Sequence, residues 1–372
     1  MRRFVGWKTL AVGLTLAVVA AGCGTTVEES GGQPEGDGGG GTGGSIEPAG
    51  QITGAGASFP APLYSQVFEA LAQEGGPQVN YQSIGSGGGI EQFINNTTDF
   101  GASDAPMTEE QMNQVDSEVL HVATVGGSVV SAYNLEGVDQ LNLTGEALAD
   151  IFLGNITTWD DPAIAEANPD ANLPSEEIQV VHRADSSGTS NIFTSYLAAV
   201  SDQWEQDVGA GTEVAWPVGS GGQGNEGVAA QVNQTPNSIG YVELAYATEN
   251  DLPYASLGPD TDGPFVEASL ETARNAIREA DIPDDLRVTI SATNPIAEDA
   301  YPIVGLTWLL IRQEMEDPAV CAAVAEAAWF ATHEGQEFAP DLQYVQISDN
   351  VVQTDEEFIR SMESGGQKCY QG

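Results

Sequence analysis

From residue 51 onward the chain alternates short apolar runs with stretches whose apolar residues recur at helical spacing. Leu63, Val67, Phe68 and Leu71 fall at i, i+4, i+5 and i+8, which predicts a helix over 60–74 with Pro60 and Pro62 in its first turn. The stretch 51–54 leads into a glycine-rich turn over 54–59. Residues 79–84 alternate and predict a strand, followed by a turn over the GSGGG run at 85–89 and a helix from Ile90 to about Asn95. A short strand over 99–104 ends in a polar tip, and 121–132 is a long apolar, β-branched segment. Helix is predicted over 148–153, strand over 178–182, helix over 191–200 and strand over 238–242. Regular elements at 274–280, 302–312 and 319–332 complete the pattern. A repeated strand, Gly/Ser turn and helix predict an α/β architecture.

The first 50 residues follow a different pattern. Arg2, Arg3 and Lys8 precede an apolar run over 9–21, 13 residues long, and small residues lead into Cys23. About 20 residues are needed to span a bilayer, so 1–22 reads as a cleaved signal rather than a membrane helix. A small-residue run ending in Cys resembles a bacterial lipoprotein processing site. Cys23 is therefore expected to carry acyl chains, with Ala20 in place of the usual aliphatic residue. Residues 24–50 hold 11 glycines in 27 positions and read as a flexible tether reaching roughly 30 Å. In an exported chain the two remaining cysteines, Cys321 and Cys369, are expected either to pair or to stand as two free thiols, with the disulfide favoured.

Charge narrows the function classes. Ten Lys+Arg face 55 Asp+Glu, a formal net charge of −45. Removing 1–22 takes three cations away and leaves 7 against 55, or −48. Nucleic acid is excluded as a partner, because counterion-release binding needs a basic face. Adhesion to anionic lipid is excluded for the same reason, leaving the lipid anchor as the only route to a membrane. Such acidity suits a saline setting and solubility. Anionic ligands also look unfavourable at first sight, but three junctions argue otherwise. Ser58, Ser86 and Ser187-Gly188-Thr189 each place hydroxyls or glycines where a strand gives way to a helix. There, unpaired N–H groups and the positive helix end bind anions without a basic side chain.

Arg183 is the only Lys or Arg between residues 9 and 273. It ends a strand beside a Gly/Ser turn, and its guanidinium fork suits a tetrahedral oxyanion. Asp185 can hold that fork in place. Asp104, at the tip of the 99–104 strand, is either a helix cap or a selectivity device. A carboxylate in an anion pocket only accepts hydrogen bonds, so it favours an oxyanion that carries a proton, such as phosphate, over sulfate.

These residues lie in six segments: ITGAGASFPAPLY (52–64), VNYQSIGSGGG (79–89), DFGASDAP (99–106), IFLGNITTWDDP (151–162), RADSSGTS (183–190) and IGYVELAY (239–246). In order, they resemble the phosphate-binding proteins of bacterial phosphate ABC importers over about 51–312. The resemblance implies a two-lobed periplasmic-binding-protein fold of type II, with a hinge and a ligand cleft. Lobe 1 would be 51–125 plus 300–372, and lobe 2 126–299. It implies high-affinity extracytoplasmic binding of inorganic phosphate and delivery to a complex of two permeases and two ATPases. The implied ligands are Ser58, Phe59 through its N–H, Ser86, Asp104, Arg183, Ser187, Gly188 and Thr189, with Asp185 orienting the arginine. Ser58 stands where Thr is usual, and His182 where a basic residue is frequent.

An enzyme reading, a secreted phosphatase-type hydrolase, finds little support. His121, His182 and His333 lack metal-ligand spacing, there is no G-x-S-x-G elbow, and no Lys lies between 9 and 367 for a phosphate-binding P-loop. Neither a cofactor nor a metal is expected. The G-x-G-x-x-G matches at 219–224 and 222–227 read as loop glycines, and Asp160-Asp161 as a surface turn. A phosphate sensor remains an alternative use of the same cradle.

Overall fold

The computed structural model describes residues 46–292 and 299–372. The expected signal (1–22), Cys23 and tether residues 24–45 lie outside the described residues. In chain order the main elements begin with β1 (Gln51–Gly56), α1 (Ala61–Gln73), β2 (Gln78–Ser83), α2 (Ser86–Ile94), β3 (Phe100–Ser103), β4 (Val119–Asn134) and α3 (Gly145–Leu153). They continue through β5 (Gln179–Arg183), α4 (Gly188–Val200), β6 (Ser220–Gly222), α5 (Gly224–Gln234), β7 (Ser238–Glu243) and α6 (Leu270–Glu279). They end with β8 (Val304–Arg312), α7 (Pro318–Thr332), β9 (Val345–Gln346) and α8 (Asp349–Ser361).

Among the described residues a nine-stranded sheet runs β2-β1-β3-β8-β4-β7-β5-β6, with β9 also on β4. β1 pairs in parallel with β2 and β3, and β5 with β6 and β7, while β8 and β4 run antiparallel to their neighbours. β4 joins the two halves. Its residues up to Ser128 pair with β8, and from Val129 onward it pairs with β7. Its interior is buried throughout, which is why it reads as a near-continuous Val/Ala/Ser run rather than an alternating one. β8, equally buried, crosses beside it.

Helices follow the predicted faces. α1 buries Leu63, Tyr64, Val67, Phe68 and Leu71 and leaves Ser65, Gln66 and Glu69 exposed. Several stretches depart from the sequence reading. Residues 51–56 form β1, an inner strand of the sheet, rather than the entry to a turn. Their Gly/Ala composition hides a strand whose place is set by the parallel neighbours on both sides. The GSGGG run is the first turn of α2 rather than a loop. Gly89 rests on β1 so closely that a Cβ there would lie 2.4 Å from Gly56 Cα, so bare backbone lets the helix dock. The run 219–227, read as loop glycines, instead contains β6 and the first turn of α5. Asp161 caps the short helix Pro162–Ala165, accepting from the Ala163 N–H. A disulfide joins Cys321 on α7 to Cys369, with a Cα–Cα distance of 5.6 Å.

Candidate functional site

The residues singled out in the sequence converge where the two halves meet. Ser58, Ser86 and Asp104 follow the ends of β1, β2 and β3 within one to three residues, and β5 ends at Arg183 on the facing half. Each of the three hydroxyl junctions stands at a helix start. Pro60 caps α1, Gly85 (φ 87°) caps α2, and Ser187 caps α4 by accepting from the Ser190 N–H at 3.1 Å. Ser58, Phe59, Ser86, Asp104, Arg183, Ser187 and Thr189 are all at most 3 % exposed. A Cβ on Gly188 would stand 2.6 Å from Ser86 Oγ and 2.7 Å from Asp104 Oδ2, so this glycine permits the close approach of the facing halves.

Arg183 is held along one edge. Its Nε donates to Asp185 Oδ1 at 2.8 Å and Nη2 donates to Asp185 Oδ2. Asp185 also accepts from the Gly224 N–H at 3.0 Å. Burial pushes the Asp185 carboxyl up, but the hydrogen bond and charge of Arg183 outweigh it and leave the group below its ordinary value. Arg183 Nη1 is buried and has no hydrogen-bond partner among the described residues. A buried guanidinium edge without a partner costs stability, so its retention points to a ligand oxygen. His182 turns away and stacks on Trp216 at 5.0 Å, with its Nδ1 2.9 Å from Arg183 O.

Asp104 faces Arg183 from the other half. Its Oδ1 accepts from Thr307 Oγ1 at 2.9 Å, and Oδ2 is 3.5 Å from Ser86 Oγ. Burial raises the carboxyl from 3.8 to about 7, against the opposing pull of Thr307, Arg183 and Ser86. Near neutrality it therefore shares a proton readily. It does not cap the helix that begins at Glu109, since Thr108 does, through a capping box with Gln111.

Contacts between the halves close around these groups. Gly188 N–H donates to Ser86 Oγ at 3.0 Å and Gly87 N–H to Ser186 O at 3.0 Å. Tyr246 Oη donates to Ser58 O across the halves at 2.6 Å, and Tyr344 Oη, which donates to Phe59 O within its own half at 2.6 Å, lies 2.9 Å from Glu243 Oε2 on the other. Three participants were not legible in sequence. Asn225 lies in the glycine run read as a loop, Thr307 inside an apolar strand, and Glu243 at the end of β7. Asn225 has the strongest retrospective signal, a lone amide at the first turn of a helix that follows a glycine-rich strand end. No group of three or more metal-ligating side chains occurs among the described residues.

Comparison with known proteins gives consistent matches. A PBP superfamily domain matches residues 42–333. The phosphate-binding protein PstS of Pasteurella multocida is 44 % identical over 304 residues, covering 81 % of this chain and 88 % of that protein. Its namesake in Haemophilus influenzae is 42 % identical over 308 residues, covering 82 % and 91 %. Among solved structures, a periplasmic phosphate-binding protein called PfluDING, bound with phosphate, superposes with a TM-score of 0.68 at 22 % identity, covering 82 % of this chain and 93 % of that one. A phosphate-binding protein from Stenotrophomonas maltophilia superposes at 0.64 and 20 % identity, covering 84 % and 94 %. These last two establish likeness of fold.

Proposed function

The chain belongs to the PBP superfamily and, within it, to the PstS phosphate-binding proteins, and from that premise we propose that it binds inorganic phosphate outside the cytoplasm and delivers it to a phosphate ABC importer. One observation carries the reading: buried Arg183, with a free donor edge, faces buried Asp104 across a ring of hydroxyls and helix N-termini drawn from both halves. Arg183 and the helix ends supply donors and positive potential, and Asp104 supplies an acceptor for the ligand's own proton.

We assign the anion to Ser58, the Phe59 N–H, Ser86, Asp104, Arg183, Ser187, Gly188 and Thr189, with Asp185 aligning the guanidinium. Lobe 1 is 51–125 plus 300–372 and lobe 2 is 126–299. The change of partner along β4 at Ser128/Val129 supports a hinge close to the first boundary. Acylation of Cys23 would hold the protein on the outer face of the membrane, with the tether giving it reach toward a transporter of two permeases and two ATPases. Equilibrium dialysis against radiolabelled phosphate tests the reading. One phosphate retained per chain is expected, and none retained refutes it.

A further inference from the structure

Glu243 joins the two halves away from the ligand itself. It ends β7 on lobe 2, is fully buried, and caps the short helix Leu244–Glu249 by accepting the Ala245 N–H through Oε2 at 2.8 Å. The same Oε2 lies 2.9 Å from Tyr344 Oη, which reaches it from lobe 1. The Tyr344 phenol also lies 2.6 Å from Phe59 O, the carbonyl of a residue whose own N–H is assigned to the ligand. The preceding carbonyl, Ser58 O, accepts from Tyr246 Oη of lobe 2 at 2.6 Å.

The protons along this row have one arrangement that satisfies every contact. A phenol has one proton, and a backbone carbonyl has none to offer. The contact with Phe59 O therefore takes the Tyr344 proton. The contact between Tyr344 Oη and Glu243 Oε2 then needs a proton of its own, and the carboxyl is the group that supplies it. An ionised Glu243 would set lone pairs against lone pairs across the interface. A carboxylic acid with its proton on Oε2 donates to Tyr344 and still accepts the Ala245 N–H. Oε1 agrees: it is buried without a hydrogen-bond partner among the described residues, which an ionised carboxylate tolerates far less than the carbonyl oxygen of an acid.

The titratable groups facing Glu243 are Tyr344 from lobe 1 and Tyr246 and Glu249 on the helix it caps. β4 brings Gly127, where a Cβ would lie 3.3 Å from Oε1, and α5 brings the neutral Asn225, whose Oδ1 accepts the Glu243 N–H. Tyr246 feels Glu226 on α5 and Arg183 at the end of β5. None of the groups facing Glu243 is a cation that would hold it ionised. Burial acts in the same direction and pushes the carboxyl well above 4.5.

The groups assigned to the ligand are buried, so phosphate reaches them only when the halves part. Parting draws Tyr344 away from Glu243 and admits water to the carboxyl. Resting on the phosphate reading above, we infer that Glu243 is a positioning residue that acts as a proton-dependent latch: it is a neutral acid while the halves are together, ionises when they part, and takes a proton from solvent onto Oε2 when they close over phosphate. Opening returns that proton to water, so no other reactant takes part. Through Tyr344 the latch holds the Phe59 carbonyl, and with it the backbone that faces the ligand. Acid therefore favours the closed, loaded form through a group outside the anion's own contacts.

Glu243→Gln tests the latch, because glutamine keeps the shape and takes up no proton. Inorganic phosphate is titrated into both purified full chains by calorimetry near pH 7, in two buffers of different ionisation enthalpy, which yields the protons taken up per phosphate bound. Phosphate and Asp104 are common to both proteins and cancel in the difference. The wild type is expected to take up about one proton more per chain than the variant. Equal uptake overturns the inference and leaves phosphate binding standing. Absence of wild-type binding defeats the functional reading itself.

Infrared difference spectra, with and without inorganic phosphate at pH 8, guard against a variant that does not fold. They are recorded on the wild type and on Asp104→Asn, which lacks the carboxyl facing the ligand. The carbonyl band of a protonated carboxylic acid is expected to grow with phosphate in both proteins. A band absent from both, or present in the wild type alone and so belonging to Asp104, contradicts the latch.

Discussion

Asp104→Asn tests how the site tells phosphate from sulfate. In the wild type, burial lifts the carboxyl from 3.8 to about 7, and one pKa unit is worth about 1.4 kcal/mol. Sulfate brings no proton, so it binds well only when Asp104 is itself protonated. At pH 6 about nine-tenths of the molecules meet that condition, and at pH 8 about one-tenth do. The extra work of binding sulfate at pH 8 is therefore about 1.4 kcal/mol, or a tenfold rise in Kd. The sign follows from the raised value: protonation, and with it sulfate binding, is gained as pH falls through about 7. Asparagine cannot ionise. Its amide can still accept from Thr307 Oγ1 through one atom and donate toward the ligand through the other. Sulfate Kd should become flat between pH 6 and 8, and phosphate should lose its margin over sulfate. Titration calorimetry with sulfate at both pH values is the assay. An equal pH slope in wild type and variant would refute the reasoning.

Arg183→Ala should weaken phosphate binding by about 2–5 kcal/mol, as for a lost buried charge partner, and titration calorimetry with the folded variant checks it. Glu243 is fully buried, with Oε2 accepting the Ala245 N–H and lying 2.9 Å from Tyr344 Oη, and burial pushes its carboxyl well above 4.5. The folded state thus holds this proton more tightly than the unfolded chain. The group's contribution is complete below about 4.5 and is lost as pH rises. Glu243→Gln should therefore gain in Tm relative to wild type between pH 5 and pH 8, and a constant Tm difference would contradict this. The charge of −45 repels an approaching anion, and the screening length shrinks from about 10 Å at 0.1 M salt to about 3 Å at 1 M. Phosphate on-rates in stopped flow should consequently rise with NaCl; a steady decline would count against the distant field.

Much of this protein was legible from local chemistry. The spacing of Leu63, Val67, Phe68 and Leu71 marks α1, and the uninterrupted apolar run marks β4, because in both cases burial follows the sequence period. Arg183 stood out as a lone cation, and the Gly/Ser junctions stood out because helix ends need caps. What was missed depends on distant partners. β1 carries little strand signal of its own, and its neighbours β2 and β3 define it. Thr307 reaches Asp104 across 203 positions and Asn225 reaches Ser58 across 167, so neither role can be read from flanking residues. The acidity that seemed to exclude anions acts over distance. The donors assigned to the ligand lie buried where the two halves meet, at contact range rather than at a distance.

The most direct measurement is titration of the purified protein with inorganic phosphate in the presence of excess sulfate near pH 8. Saturable binding of one phosphate per chain, little affected by sulfate, is the predicted result. No phosphate binding, or displacement by sulfate on equal terms, would contradict the account.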